Sequence, residues 1–188
     1  MIESPPSRVA AEQLRLRLLT DADDAVVAAF SCGESDLDEF LRTDAQRLSR
    51  LRVVRTYLAF FDVELVGFLS VLNDAIVLET RERKKLDLGS QGHPVVPALK
   101  IARLAVSETF RSRHSGVGTG LLRVALALAL DLSDRVGCRL LTVDAYPGSV
   151  SFYEKLGFLA NGAKLYEGRR HPSMRLDIFP RVPHPWAS

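Results

Sequence analysis

The sequence predicts an α+β fold in a single domain covering residues 1–188, with tails at residues 1–10 and 181–188. The length is that of one domain, and a hydrophobic content of 47% is enough to fill one sizeable core. Segments rich in aliphatic and aromatic residues recur along the whole chain, whereas strand and helix patterns alternate only in its second half. This mixed order favours an α+β fold.

The N-terminal part of the chain shows a strand pattern followed by helix patterns. In residues 13–19 leucines alternate with charged residues, which predicts a half-buried strand, and a short helix is expected around residues 24–30. Residues 35–38 have the Ser-x-x-acid pattern of a helix start, where the helix dipole favours the carboxylates of Asp36 and Asp38. Apolar residues at helical spacing then predict one amphipathic helix: Leu37, Phe40, Leu41, Ala45 and Leu48.

The middle of the chain predicts a hairpin and then a polar connection. Residues 53–61 and 65–72 are rich in aliphatic and aromatic side chains and flank residues 62–64, so they are expected to pair. Residues 75–79 are expected to extend the sheet. The stretch 89–98 contains glycine and proline and is expected to be a loop.

The second half predicts strands around one long helix. A strand at residues 99–106 leads into a polar, glycine-rich segment. Residues 121–132 are leucine- and alanine-rich and apolar nearly all round, as in a helix packed deep against a sheet, and Gly137 is expected to end that helix. The remaining elements are a strand at 139–145, a short helix at 149–156 closed by Gly157, and strands at 159–163 and 174–179.

Charge, cysteines and histidines argue against several classes of function. The formal net charge of +2 implies no strong long-range field, so nucleic-acid binding is neither demanded nor excluded. The longest apolar stretch, residues 124–130, is far shorter than the roughly 20 residues of a membrane span, and no signal peptide is recognisable, so a cytoplasmic protein without membrane contact is expected. Cys32 and Cys138 are expected to be buried thiols, and the four scattered histidines predict neither a metal site nor a triad.

A glycine-rich segment immediately precedes the long helix. It consists of Arg113, His114, Ser115, Gly116, Val117, Gly118, Thr119 and Gly120. Its three glycines let the backbone approach a ligand without obstruction by a Cβ atom. The unpaired N–H groups of a helix N-terminus favour a phosphate or pyrophosphate, and Arg113 can add a charge-assisted contact. The glycines alone are equally typical of a flexible strand-to-helix turn.

Two other phosphate-binding motifs fit this segment poorly. A dinucleotide fold requires G-x-G-x-x-G directly after a strand, but the spacing here is G-x-G-x-G and several polar residues separate it from Val106. A P-loop requires G-x-x-x-x-G-K-[ST], which is absent from the sequence. Both nucleotide-binding interpretations are therefore weakened.

Two blocks of sequence together resemble the acetyl-CoA site of the GNAT acetyltransferase superfamily. The first is the Arg-x-x-Gly-x-Gly spacing at residues 113–118, between a strand ending at residue 106 and a helix beginning at residue 121. The second is a strand, a short helix and the block Phe-Tyr-Glu-Lys-Leu-Gly-Phe at residues 152–158. The resemblance spans residues 99–160. It implies a three-layer α+β fold, with a mixed, mostly antiparallel sheet of six to seven strands flanked by helices and splayed where acetyl-CoA binds.

The resemblance also implies which residues act. Backbone amides of Leu104, Ala105 and Val106 would hold the pantetheine arm and polarise the thioester carbonyl, residues 113–120 would cradle the pyrophosphate, and Tyr153 would be the acid. A neutral amine attacks the thioester, an oxyanion develops, and the departing thiolate needs a proton. A thiol has a pKa of about 8.5 and a tyrosine of about 10, so a positioned phenol can share or donate that proton. Oriented N–H groups would stabilise the oxyanion.

Tyr153 has a structural alternative, as an aromatic residue that packs a short helix against a sheet. Its position in the block favours the acid role, and Tyr146 is a weaker candidate for that role. Phe152 and Phe158 are assigned to the core, and Gly157 to helix termination.

The sequence departs from the superfamily pattern at two places. Tyr146 stands where many members carry an asparagine, so a side-chain amide contact to CoA is not expected. The connection at residues 107–112 is about two residues longer than in comparable members. No general base is assigned, because several carboxylates are equally consistent with solvated surface charge: Glu64, Asp74, Glu79 and Glu108.

The acceptor amine is less defined than the cofactor. Residues 30–33, 37–41 and 103–106 resemble the subgroup that contains toxins acetylating aminoacyl-tRNA, which implies an aminoacyl amine as acceptor and an antitoxin as partner. Small-molecule or peptide amines are alternatives, as is a non-catalytic CoA-binding module, although Tyr153 and the intact glycines argue against the module. A homodimer is the default for a small enzyme of this kind. Basic residues that would suit a tRNA backbone, or equally a solvated surface, are Arg50, Arg52, Arg55, residues 81–85, Arg169 and Arg170.

Overall fold

The computed structural model describes residues 7–89 and 94–187. The chain forms two compact units: unit 1 comprises residues 1–72 and 102–124, and unit 2 comprises residues 73–101 and 125–188. Two strands and one long helix each contribute residues to both units. The single domain over residues 1–188 stays a prediction. Most of the predicted N-terminal tail, and His93, lie outside the described residues.

Unit 1 contains an antiparallel meander. Strand β1 is Ser7–Arg8, β2 is Leu14–Leu18, β3 is Arg55–Phe61 and β4 is Glu64–Val77. β2 pairs with β3, and β3 pairs with β4 through a turn in which Asp62 has φ +52°. This confirms the predicted strand and hairpin. β4 is longer than expected because it takes in most of the segment predicted to extend the sheet.

The helices of unit 1 follow the predicted apolar pattern with one irregularity. Helix α1 is Asp24–Ala29, α2 is Ser35–Glu39 and α3 is Ala45–Arg50. A π-helical turn, Phe40–Asp44, joins α2 to α3, and in it the Ala45 N–H donates to the Phe40 carbonyl. Leu37, Leu41 and Ala45 are buried, as predicted.

The predicted capping pattern at Ser35 is wrong in detail. Glu34 occupies the cap position without a side-chain cap bond, and Ser35 is the first helical residue. Asp38 turns back instead, accepting hydrogen bonds from Ser31 Oγ and Cys32 N, both at 2.9 Å. Asp38 is buried, so its carboxylate needs these partners, and they tie α2 to the preceding turn.

Five strands follow in the second half of the chain, and unit 2 contains one parallel pair among them. β5 is Val95–Val106, β6 is His114–Ser115, β7 is Leu140–Asp144, β8 is Leu159–Ala160 and β9 is Ser173–Asp177. β5 pairs in parallel with β7, and β9 pairs antiparallel with both β7 and β8. The seven-stranded sheet has the order β2-β3-β4-β5-β7-β9-β8. This confirms the predicted mixed, mostly antiparallel sheet; the short β6 belongs instead to unit 1 and pairs with β1.

Helix α4, Thr80–Lys85, replaces the polar connection expected from the sequence. Its Glu82 is buried in an ion pair with Arg175 at 2.7 Å and also accepts from the Gly162 N–H at 2.9 Å. The loop prediction for residues 89–98 is also wrong at its end, because β5 begins at Val95. Val96 and Ala98 pack in a cluster with Ile76, Leu78 and Leu140, and this burial holds the segment in the sheet.

Three helices remain, and two of them, α6 and α7, end where their glycines predict. α5 is Glu108–Arg113, α6 is Val117–Val136 and α7 is Val150–Lys155. Gly137 has φ +87° and its N–H donates to the Ser133 carbonyl, while Gly157 after α7 has φ +88°. Left-handed residues of this kind favour glycine at helix C-termini. α6 begins four residues earlier than predicted, so the last glycines of the loop lie within its first turn.

Candidate functional site

The predicted pantetheine-binding residues Leu104, Ala105 and Val106 form the carboxyl end of β5. β4 lies close to them at Gly67, where a Cβ atom would stand only 2.7 Å from the Ala105 carbonyl oxygen. The N–H of Ser107 donates to the Val66 carbonyl at 2.9 Å. The end of β5 is therefore held firmly in unit 1, and a larger residue than glycine at position 67 would displace it.

The connection that looked about two residues too long is a helix. Ser107 begins it, and its hydroxyl accepts from the Phe110 N–H as a helix cap. The Glu108 N–H donates to the Ser31 carbonyl at 3.0 Å. The extra length is thus folded into α5 and leaves the glycine segment at the start of the next helix.

The first turn of α6 carries unpaired backbone N–H groups. The first intrahelical hydrogen bond runs from the Gly120 N–H to the Gly116 carbonyl at 2.9 Å. Val117, Gly118 and Thr119 precede it, so their N–H groups point out of the helix end. Such groups, together with the helix dipole, favour an anion at this end of α6, so the geometry is compatible with the role predicted for the glycine segment.

Gly120 has a different role from the glycines before it. Its N–H is used within the helix, and a Cβ atom at this position would stand 2.8 Å from Leu14 Cδ1. The absence of a side chain therefore lets α6 lie against β2. The structure supports a packing role for this predicted cofactor-binding residue.

The Arg113 side chain contacts α5 and β4. Its Nε donates to the Thr109 carbonyl at 3.1 Å, and its guanidinium lies 3.3 Å from a carboxylate oxygen of Glu64. Both side chains of this ion pair are exposed, and such pairs contribute only about 0–1 kcal/mol. Exchange of Glu64 for a phosphate would therefore cost little.

Tyr153 is buried in α7, with 5% of its surface exposed. Its ring makes edge contacts with Phe152 and Phe158, at centroid distances of 5.1 and 5.2 Å. Burial raises the pKa of the phenol above its usual range. Phe158 is buried as predicted, whereas Phe152 is only half-buried, so its assignment to the core is wrong.

Tyr146, the weaker candidate for the acid, lies at the turn after β7. Its ring meets His171 edge-on at a centroid distance of 4.7 Å, and its carbonyl accepts from the Ser149 N–H at 2.8 Å. The Nδ1 atom of His171 is buried without a hydrogen-bond partner among the described residues. No pattern in the sequence pointed to this histidine.

Three of the four carboxylates named as possible general bases contact a polar or charged side chain. Asp74 accepts from the Thr142 hydroxyl at 2.6 Å, and Glu79 lies 3.2 Å from Arg81. Glu64 pairs with Arg113, and the Glu108 carboxylate lies 3.3 Å from the position that a Cβ atom on Gly33 would take. None of the four is thereby singled out as a base.

The basic residues predicted to suit tRNA differ in their surroundings. Arg50 forms an ion pair with Asp21, and Arg83 is buried. Arg81 and Arg169 lie near carboxylates, Glu79 and Asp144 respectively. Of the run at 81–85, Lys84 and Lys85 are exposed.

In residues 7–89 and 94–187, no three side chains of histidine, cysteine, aspartate or glutamate come together in a way that could hold a metal ion. No helix in the same ranges is long and apolar enough to cross a membrane. Cys32 and Cys138 are both buried and free, as predicted.

Comparison with known proteins places these elements in a family. The model of the acetyltransferase (GNAT) family matches residues 19–158. The chain is 29% identical over 144 residues to a tRNA-acetylating toxin of Mycobacterium tuberculosis, covering 76% of this chain and 82% of that protein. It is 25% identical over 119 residues to a probable toxin TacT of Sinorhizobium fredii, covering 62% and 64% of the two chains.

Solved structures show the same fold. AtaT complexed with acetyl-methionyl-tRNAfMet superposes with a TM-score of 0.72 at 22% identity, covering 87% of this chain and 94% of that one. A tyrosine-to-phenylalanine mutant of KacT gives 0.73 at 21% identity, covering 88% and 95%. An AtaT mutant bound to the C-terminus of the antitoxin AtaR and to acetyl-CoA gives 0.69 at 21% identity, covering 88% and 94%.

Proposed function

This chain belongs to the acetyltransferase (GNAT) family, and from that premise we propose that it transfers the acetyl group of acetyl-CoA to the amino group of aminoacyl-tRNA. The observation that carries the acceptor is the similarity to the tRNA-acetylating toxin, which extends over 76% of this chain. The similarity to the probable toxin TacT of Sinorhizobium fredii points the same way. The protein would then act as the toxin of a toxin–antitoxin pair, held inactive by an antitoxin chain.

The first turn of α6 supports acetyl-CoA as the donor. The N–H groups of Val117, Gly118 and Thr119 can donate to pyrophosphate oxygens, and the helix dipole adds positive potential there. The backbone at the end of β5 supplies Leu104, Ala105 and Val106 for the pantetheine arm and the thioester carbonyl. Such preorganised donors stabilise the oxyanion without reorganising during the reaction.

The reaction forms a bond between the amine nitrogen and the acetyl carbon and breaks the bond from that carbon to sulfur. One proton passes overall from the amine to the sulfur. We assign to Tyr153 the role of acid toward the departing sulfur. Because burial raises the pKa of its phenol, the hydroxyl stays protonated over the whole physiological range.

The raised pKa also limits what Tyr153 can do. Each unit by which the phenol pKa exceeds that of the thiol adds about 1.4 kcal/mol to full proton transfer. The role that fits is a hydrogen bond donated to the developing thiolate, with the proton lost by the attacking amine completing its neutralisation. Phe158 and Phe152 fix the ring that carries this donor.

Transfer of radiolabelled acetyl groups tests the proposal. The protein is incubated with acetyl-CoA and, separately, with aminoacyl-tRNA, the same tRNA uncharged, the free amino acid and a short peptide. Label is expected only on the aminoacyl-tRNA, and alkaline cleavage of the ester should release it as the N-acetylated amino acid. Label on the peptide or free amino acid alone would contradict the acceptor, and binding of acetyl-CoA with no transfer would indicate a non-catalytic module.

A further inference from the structure

Residues 7–10, here called the N-terminal strap, lie along the segment that precedes α6. Ser7 and Arg8 pair in parallel with His114 and Ser115. The Val9 N–H then donates to the Ser115 carbonyl at 2.8 Å. The strap therefore hydrogen-bonds the backbone immediately before the anion-binding turn.

The fit between strap and loop is closest at Gly116. This residue has φ +100°, a conformation that favours glycine. A Cβ atom there would stand 2.6 Å from the Val9 carbonyl oxygen. Val9 itself is buried, so the strap occupies a fixed position on the loop.

His114 is held from a second direction. Its ring lies against Phe110 and Phe61, at centroid distances of 4.4 and 5.9 Å. Its Nδ1 atom is 2.6 Å from the Ser7 hydroxyl, with which it shares a hydrogen bond. The strap thus holds the backbone of the loop, and Phe110 and Phe61 hold the ring of His114.

We propose that the N-terminal strap is a positioning element for acetyl-CoA, which holds residues 114–116 so that the N–H groups of the first α6 turn converge on the pyrophosphate. This inference rests on the proposed function, which assigns acetyl-CoA to the loop. Without the strap, residues 114–116 would become ordered only when acetyl-CoA binds. The entropy lost in ordering them would oppose binding and so lower the affinity for acetyl-CoA. The pyrophosphate keeps its contacts from ground state to transition state, so the effect belongs in KM and leaves kcat unchanged.

Val9→Pro tests the backbone pairing in the full-length protein. Proline removes the N–H that donates to Ser115, whereas Val9→Ala shortens the same side chain and keeps that N–H. Acetyl-CoA affinity is measured by calorimetry after thermal melting has shown that both variants fold. The Kd of the proline variant is expected to rise roughly tenfold, with the alanine variant close to wild type. Hydrogen exchange at residues 114–116 should accelerate only in the proline variant.

Ser7→Ala provides a milder variant that leaves the backbone pairing in place. Ser7 is exposed, so the loss of its bond to His114 should not impair folding. The Kd for acetyl-CoA is expected to rise roughly threefold. Ser7→Thr keeps a hydroxyl and should restore wild-type affinity.

The outcomes separate the strap from the proposed function. Three results would each contradict the positioning role of the strap alone. These are wild-type affinity in both Val9→Pro and Ser7→Ala, equal weakening by the proline and alanine variants at position 9, or a fall in kcat with KM unchanged. Binding of acetyl-CoA without acetylation of aminoacyl-tRNA would contradict the proposed acceptor and leave the positioning role of the strap intact. A wild-type chain that does not bind acetyl-CoA would overturn both.

Discussion

Asp23 is a buried carboxylate kept charged by its neighbours. Arg17 donates to both of its oxygens, and the backbone and hydroxyl of Thr20 add bonds of 2.8 and 2.9 Å. These contacts, the Arg17 hydrogen bond first, lower the pKa of Asp23 from 3.8 to about 2. A carboxyl whose pKa is lowered by folding stabilises the protein at pH values above its ordinary, unfolded-state pKa. That stabilisation is lost as the pH falls toward the lowered pKa of the folded state.

Asp23→Asn should therefore destabilise the protein in a pH-dependent way. At pH 7 the free energy of unfolding is expected to fall by about 1–2 kcal/mol, and the difference from wild type should shrink as the pH is lowered from about 5 to about 2. Urea titrations across this range measure it. Asp134→Asn, at an exposed position on α6, is the control and should change little. A deficit independent of pH would contradict the charge-based account.

Tyr153 is the residue on which the proposed chemistry depends most. Tyr153→Phe removes the hydroxyl that would donate to the thiolate and keeps the ring between Phe152 and Phe158. Turnover is expected to fall by roughly 10² or more, with acetyl-CoA affinity and melting temperature nearly unchanged. Tyr146→Phe is the matched control and should stay within about twofold of wild type. If the control lost more activity than Tyr153→Phe, the acid would have to be reassigned to Tyr146.

Helix α7 is held at its C-terminus by residues 184–186. The indole N–H of Trp186 donates to the Leu156 carbonyl at 2.8 Å, at the helix C-terminus. His184 stacks on Trp186 and lies close to Gly157, and its Nε2 donates a hydrogen bond to the Asp177 carbonyl at 2.8 Å. Residues of the predicted C-terminal tail thus secure the helix that carries Tyr153.

Trp186→Phe should show what this contact contributes. The substitution keeps an aromatic ring and loses the N–H, so the Leu156 carbonyl loses its donor. The free energy of unfolding is expected to fall by about 1 kcal/mol. Val182→Ala, at a position 78% exposed, is the control in the same segment and should melt like wild type. Equal melting of all three proteins would mean that the indole bond is not stabilising.

The elements that the sequence predicted correctly are those whose hydrophobic pattern and end signals lie within the element itself. The β3–β4 hairpin and α6 carry their hydrophobic pattern and their end signals locally, so sequence alone located them. Helix α4 escaped prediction because its buried residues, Glu82 and Arg83, are charged. Burial of Glu82 is made possible by its ion pair with Arg175 and its hydrogen bond from the Gly162 N–H, and no local pattern reports such distant partners.

The candidate site likewise has features that the sequence predicted and features that it did not. Motif spacing predicted the glycine turn at the head of α6 and the tyrosine on α7. It could not predict that Arg113 would pair with Glu64, or that β1 would cover the loop at His114 and Ser115. Both are contacts between segments distant along the chain, and backbone pairing in particular leaves no signature in side-chain composition.

The proposed recognition of tRNA would depend on local charge on the protein surface. A net charge of +2 gives no strong overall attraction for a polyanion. α4 presents Lys84 and Lys85 to solvent, and neither is in an ion pair in the described part of the chain. Phosphate contacts by such lysines weaken steeply with salt, which separates them from contacts to the aminoacyl group.

Lys85→Glu is expected to raise KM for aminoacyl-tRNA by roughly threefold or more at low ionic strength and to flatten the dependence of KM on salt. KM for acetyl-CoA should stay unchanged, because α4 supplies none of the residues assigned to the donor. Lys164→Glu makes the same change in net charge at another exposed position of unit 2. If both variants shifted KM equally, overall charge rather than the face of α4 would govern tRNA binding. A shift confined to Lys85→Glu would locate the acceptor on that helix.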